Sequence, residues 1–295
     1  MKQTFDIAPW HVKTTKWSPE DKRLQESMTS LANENLGMRG FFEEGYSADK
    51  MEGVYLGGVW FPDKTRVGWW KNGYPKYFGK MINAVNFLKL PITVNGEALD
   101  LAKQTPSDFS LDLDMQRGTF TRTFTATVGG AKMRFEFVRF VSAVQKELVG
   151  QQVTLTNLSD QAVQLEVTSA IDGDVYNEDA NYDEQFWDVL DRQASGQHAL
   201  LVSKTKPNDF GTPQFTVVMK TTTLTALPHT TDHVADKEVA NVFAGELAPQ
   251  ASLTVEKRAV VATSRDFATE AELLARVDEL TTSLADQSFA DLLKA

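Results

Sequence analysis

The stretch TFTRTFTATVGGAKMRFEFV, Thr119–Val138, decides the fold. Thr119, Thr121, Thr123, Thr125 and Thr127 recur at every second position. Phe120, Phe124, Ala126 and Val128 fill the positions between, with Arg122 among them. After Gly129-Gly130 the alternation resumes, with Met133, Phe135 and Phe137 set against Arg134, Glu136 and Val138. A period of two marks strands with one buried face, and two glycines accept the backbone angles of a tight turn. The stretch therefore reads as a β-hairpin.

The same pattern spreads outward. Val163, Leu165, Val167 and Ile171 alternate with Gln164, Glu166, Thr168 and Ala170. Leu253, Val255, Ala259 and Val261 alternate with Thr254, Glu256, Arg258 and Val260. Further strands are expected at Phe109–Met115, Val153–Asn157, Ala199–Lys204, Phe215–Thr221 and Val239–Gly245, and Asn95-Gly96 predicts a second hairpin. Many strands joined by short turns imply a sandwich or barrel. No βαβ rhythm and no glycine-rich phosphate fingerprint occurs, which sets aside dinucleotide-binding folds.

The last thirty or so residues change character. Ser264 is positioned to cap a helix starting near Asp266, with Phe267, Ala271, Leu274, Val277, Leu280 and Leu284 as its apolar stripe. Ser288 and Asp291 resemble a capping box that opens a short final helix. That helix ends within two turns, so a further domain is expected to follow.

Composition narrows the function. The 295 residues carry a formal net charge of −10 and include no cysteine. An acidic chain repels phosphate backbones, and no apolar run approaches the ~20 residues of a membrane span, so neither nucleic acid nor membrane is expected as a partner. Without cysteine there is no disulfide and no thiolate chemistry, and the cytosol is the default compartment.

Val54–Pro91 is rich in rings: Trp60, Trp69, Trp70, Tyr55, Tyr74, Tyr77, Phe61, Phe78 and Phe87, with Asp63, Lys64, Arg66, Lys71 and Lys76 interspersed. Such a mixture suits a surface that meets a sugar or another domain, and equally the edge of a large β core. Histidine is sparse. His229 and His233 stand four apart, but Pro228 and the neighbouring threonines argue for a loop rather than a zinc-binding helix. Asp172 and Asp174 imitate the start of a calcium loop until Tyr176 and Asn177 break the pattern, so no metal is expected. Glu43, Glu44, Glu178 and Asp183 are carboxylates of the type that glycoside chemistry uses, while a solvated acidic loop explains Ile171–Trp187 equally well. No GxSxG elbow is present.

The order of several short motifs carries more information than any one of them. Leu24–Asn33, Leu36-Gly-Met-Arg-Gly40, Glu43-Glu-Gly-Tyr46, Gly57-Gly-Val-Trp60, Pro62–Arg66, Trp69–Phe78, Leu111–Asp114, Asn181–Glu184 and Asp209–Pro213 together resemble glycoside hydrolase family 65. Within that family they are most similar to the maltose phosphorylases. The resemblance implies a mainly β, large antiparallel β-supersandwich of the galactose mutarotase type over residues 1–263, then linker helices over 264–295. It also implies inverting phosphorolysis of maltose, with inorganic phosphate as co-substrate and no organic cofactor. The general-acid Glu would lie in an (α/α)6 barrel that nothing in this chain matches, so no catalytic residue is assigned. Arg39, Glu43, Trp69, Trp70, Tyr74 and Asp183 are the candidates for contact with sugar or with a second domain. The implied partners are the catalytic barrel, a second copy in a homodimer, and maltose or glucose. One departure stands out: Glu34 occupies a position where the family has Gly, predicting a positive φ or an altered turn. A free-standing carbohydrate-binding module built around Trp69, Trp70 and Tyr74 is the competing reading. A mutarotase would need a convergent His and carboxylate pair that the scattered histidines do not suggest.

Overall fold

The computed structural model describes residues 4–65, 73–178 and 184–294. Among these, ten strands form one antiparallel sheet. Its order is Asp6–Ala8, His11–Thr14, Ser107–Asp114, Thr119–Val128, Ala131–Val141, Leu148–Asn157, Ser252–Thr263, Thr216–Thr225, His198–Thr205 and Trp187–Ser195. A second sheet runs His229–Val234, Glu238–Leu247, Val163–Asp172, Ile92–Val94 and Glu97–Ala98. The expected mainly β sandwich is therefore present, and most strands outrun their alternation: Val153–Asn157 extends to Leu148–Asn157.

The opening hairpin forms as read. Arg122 pairs with Phe137 and Phe124 with Phe135 across it, and the Phe124 ring stacks on Phe135 and Phe137 at centroid distances of 5.1 and 6.1 Å. Gly129 takes φ +56, and a Cβ there would sit 2.1 Å from the Val94 carbonyl oxygen, so this turn requires glycine on two counts. Asn95 and Gly96 adopt positive φ in the second predicted hairpin.

The two sheets face each other across a core that includes Phe124, Phe135, Val153, Val167, Val217 and Phe243. Unlike the one-faced strand that the alternation predicts, Ser252–Thr263 is buried on both sides in its second half. Val255, Ala259 and Val261 point into the sandwich, while Val260 and Ala262 lie under the C-terminal helices. The helix Glu270–Ser283 covers that outer face with Leu273, Val277 and Leu280.

This helix corrects the sequence reading. Ser264 does not cap it: its backbone N–H and its Oγ both bond Thr216, which prolongs the strand pairing. Thr269 is the cap, and with Glu272 it forms a reciprocal capping box. Of the expected stripe, Val277, Leu280 and Leu284 are buried, Phe267 and Leu274 pack at its edge and Ala271 is exposed, while Leu273 joins the buried face. Thr269→Ala is expected to cost about 1 kcal/mol of stability, read from urea denaturation; a loss indistinguishable from zero would show that the box does not hold the helix. Ser288 and Asp291 bond reciprocally at the start of Phe289–Lys294, as expected.

Two other expectations change. His229–Val234 is an edge strand rather than a loop, paired to Glu238–Leu247. Glu34 does not take a positive φ. Instead the Asn33 carboxamide oxygen accepts from the backbone N–H groups of Asn35 and Leu36, so a side chain closes the turn that glycine would otherwise shape.

Candidate functional site

A cluster of charges lies inside the domain, where the apolar face of Thr119–Val128 meets the segment after the helix Lys22–Met28. Arg122 and Arg139 are fully buried. Arg122 donates from Nη1 to Glu44 Oε1 at 2.7 Å and from Nη2 to Glu43 Oε2 at 3.1 Å. Arg139 Nη1 lies 3.2 Å from Glu43 Oε1 and also donates to the Phe41 carbonyl, while Nη2 donates to that of Arg39. The Arg122 guanidinium sits 3.8 Å from the centre of the Phe42 ring and 4.2 Å from that of Phe137. Lys22 and Glu26 form a further buried pair one helical turn apart. Burial works against the Arg122 charge, but Glu44 and Glu43 outweigh it and hold the group firmly protonated.

This network fixes backbone. Glu26 accepts from the Met51 N–H at 2.7 Å, and Arg39 Nε donates to the Met51 carbonyl at 2.7 Å. The segment Lys50–Val54 is thereby held in place and becomes one wall of a cavity of about 270 Å³. Residues 83–86 and 172–178 form the others. The Ala84 N–H bonds the Val54 carbonyl, and Asn86 exchanges two backbone bonds with Asp172.

Asn83 is the hub of this cavity. Its N–H donates to Asn177 Oδ1 at 2.8 Å, its Nδ2 donates to the Tyr176 carbonyl at 2.6 Å, and its own carbonyl accepts from the Trp187 indole at 2.6 Å. Only Oδ1, buried in the wall, has no partner. Glu178 lies opposite, where burial and the negative charge of Glu52 push its carboxyl above the usual value, against the pull of Lys50. Lys50 pairs with Glu52 at 2.5 Å. Asp172 is paired with Lys89 at 2.6 Å and Asp174 with Lys237 at 2.8 Å, so the calcium-like spacing spends its charge on lysines. Among the described residues no three metal-ligating side chains come together.

The sequence candidates are thus dispersed. Glu43 is an internal counter-ion. Arg39 is half-buried and braces Met51, with Nη2 donating to Ser27 Oγ at 2.6 Å. Tyr74 is half-buried near the end of the hairpin formed by Trp60–Lys64 and Tyr77–Met81. Trp69, Trp70 and Asp183 lie outside the described residues. The remaining rings of the aromatic run differ in burial. Phe87 is core, whereas Trp60 and Tyr77 stack at 6.3 Å, Tyr77 meets Phe210 at 4.6 Å, and Phe78 stays half exposed. The histidines do not converge: His11 pairs with Asp112, His229 with Asp232, and His198 with Thr222. Lys50, Glu52 and Asn83 carry no motif and no periodicity; Glu178 was visible in the sequence as a carboxylate, and Asp172 and Asp174 only as a broken calcium pattern.

Known proteins give this geometry its context. The family model "Glycosyl hydrolase family 65, N-terminal domain" matches residues 12–295. The maltose phosphorylase of Bacillus subtilis is 40% identical over 98% of this chain, which spans 38% of that protein. An alpha,alpha-trehalose phosphorylase of Thermoanaerobacter brockii is 26% identical over 71% of the chain, which spans 28% of it. A solved structure from the human microbiome, described as a kojibiose phosphorylase, superposes with a TM-score of 0.87 at 24% identity, covering 99% of this chain and 38% of the other. The match runs through both sheets and the closing helices, and on it the chain belongs to glycosyl hydrolase family 65, as the N-terminal domain of that family.

Proposed function

We propose that this domain is the non-catalytic β part of a cytosolic disaccharide phosphorylase that acts on maltose. Inorganic phosphate would attack the anomeric carbon from the face opposite the leaving glucose. The new carbon–oxygen bond forms to phosphate, the glycosidic bond breaks, and an acid outside this chain protonates the departing oxygen. The products are β-glucose 1-phosphate and glucose, and no organic cofactor takes part. The role of the β domain is to pack on the helical catalytic domain, shape the approach to its active site and support a homodimer.

One observation carries this reading: the 40% identity to a maltose phosphorylase over nearly the whole chain, against 26% to a trehalose phosphorylase. The test is co-expression of this chain with the part of the Bacillus subtilis enzyme beyond the match. The pair is expected to co-elute and to release glucose from maltose only when phosphate is present, whereas the 295-residue chain alone releases none. Phosphorolysis by the chain alone, or failure of the two parts to associate, would overturn it.

A further inference from the structure

The cavity walled by residues 50–54, 83–86 and 172–178 is assigned by neither the family match nor the reaction above. We propose that it binds one neutral pyranose unit, with Glu52 and Glu178 accepting from the sugar hydroxyl groups and Lys50 donating to one.

Four observations carry this. First, Asn83 holds the wall in place, with its N–H, Nδ2 and carbonyl committed to Asn177, Tyr176 and Trp187, so the space is preformed. Second, the space of about 270 Å³ suits a single ring with its hydroxyl groups and is too small for a folded partner. Third, its lining mixes acceptors and a cation with apolar surface from Phe41, Val54 and Val175, the combination that a ring with polar edges and C–H faces requires. Fourth, the charges select against other small ligands. Glu178 adds a carboxylate beyond the pairs that Lys50, Lys89 and Lys237 form, which disfavours an anion such as free phosphate. A divalent cation lacks a set of three convergent ligands among the described residues, and Lys50, Lys89 and Lys237 already neutralise Glu52, Asp172 and Asp174.

Trp187 is a built-in reporter, because its indole N–H donates directly to the Asn83 carbonyl. The experiment is a titration of the whole 15N-labelled chain with glucose and with maltose, following the indole resonances. The expected result is a saturable shift of the Trp187 signal in the millimolar range. Glu178→Gln and Glu52→Gln should each weaken binding by about tenfold while leaving the other indole signals in place, which shows that the variants fold. Three outcomes overturn the proposal: no saturable shift of Trp187, an affinity unchanged from wild type in both variants, or a shift produced by calcium and not by sugar. None of them bears on co-assembly with the catalytic part, so failure here is distinguishable from failure of the phosphorylase reading.

Discussion

Arg122→Met is expected to destabilise the fold by about 3–5 kcal/mol, the usual cost of removing one partner from a buried ion network. The side chain is inaccessible to solvent and serves two carboxylates at once. Methionine fills much of the volume but leaves Glu43 and Glu44 without their main counter-charge. Glu43 retains Arg139 at 3.2 Å, whereas Glu44 has no second ion pair among the described residues, so the uncompensated charge concentrates on Glu44. Adding Glu44→Gln to Arg122→Met should therefore recover part of the loss, since the stranded charge is gone. Urea denaturation of the three proteins measures both effects. A loss below about 1 kcal/mol for Arg122→Met would place the pair in the range of solvent-exposed ion pairs and contradict the burial.

Lys257 should produce the second large effect, and its signature is pH. It is 1% exposed, and its Nζ donates to the Ala170 carbonyl at 2.7 Å and to the Lys89 carbonyl at 2.9 Å. A neutral amine has two N–H groups for these two acceptors, while an ammonium would bring a third proton into the core. Burial, assisted by the nearby charge of Lys89, lowers the pKa well below 10.5. Between that lowered value and the unfolded value of 10.5, the unfolded chain binds the extra proton, so this group's contribution to stability rises with pH. It falls away as pH drops toward the folded value. The slope approaches about 1.4 kcal/mol per pH unit within the window. Lys257→Met removes the titration and leaves two carbonyls without a donor. The stability difference between wild type and variant should widen in favour of wild type as pH rises toward 10.5. Parallel pH profiles would mean that the amine is protonated in the folded state. Comparing the two proteins cancels the other titrating groups, including Lys89, whose shift runs the opposite way under the influence of Asp172 and Glu238.

How far the residues could be read depended on how local the governing contacts are. In Thr119–Val138 the alternation, the Gly129–Gly130 turn and the cross-strand rings all agree, so the hairpin was legible outright. Ser264 misled because it is a good cap by type, yet its partner is Thr216, on a strand nearly fifty positions away. Val260 looked like the exposed face of a strand until helix Glu270–Ser283 covered it. His229–Val234 has no apolar alternation, being exposed throughout, and becomes a strand only through its pairing with Glu238–Leu247. The motifs that pointed to family 65 were legible for a different reason: their order along the chain, which needs no knowledge of their contacts.

The sequence by itself therefore determined the class of fold, two of its hairpins, the final helix and the family. Each of these follows from short-range periodicity, turn chemistry or the order of motifs along the chain. Tertiary structure alone decided what the charged residues do. Arg122 alternates with phenylalanines and looks misplaced until Glu43 and Glu44, some eighty residues earlier, are folded against it. Asn83, Glu52 and Glu178 become one cavity only because three separate segments converge, and no local pattern encodes a convergence of that kind. Desolvation is the physical reason for both. The same side chains that are unremarkable in water become counter-ions, a neutral amine or an unmatched acceptor once the two sheets close over them.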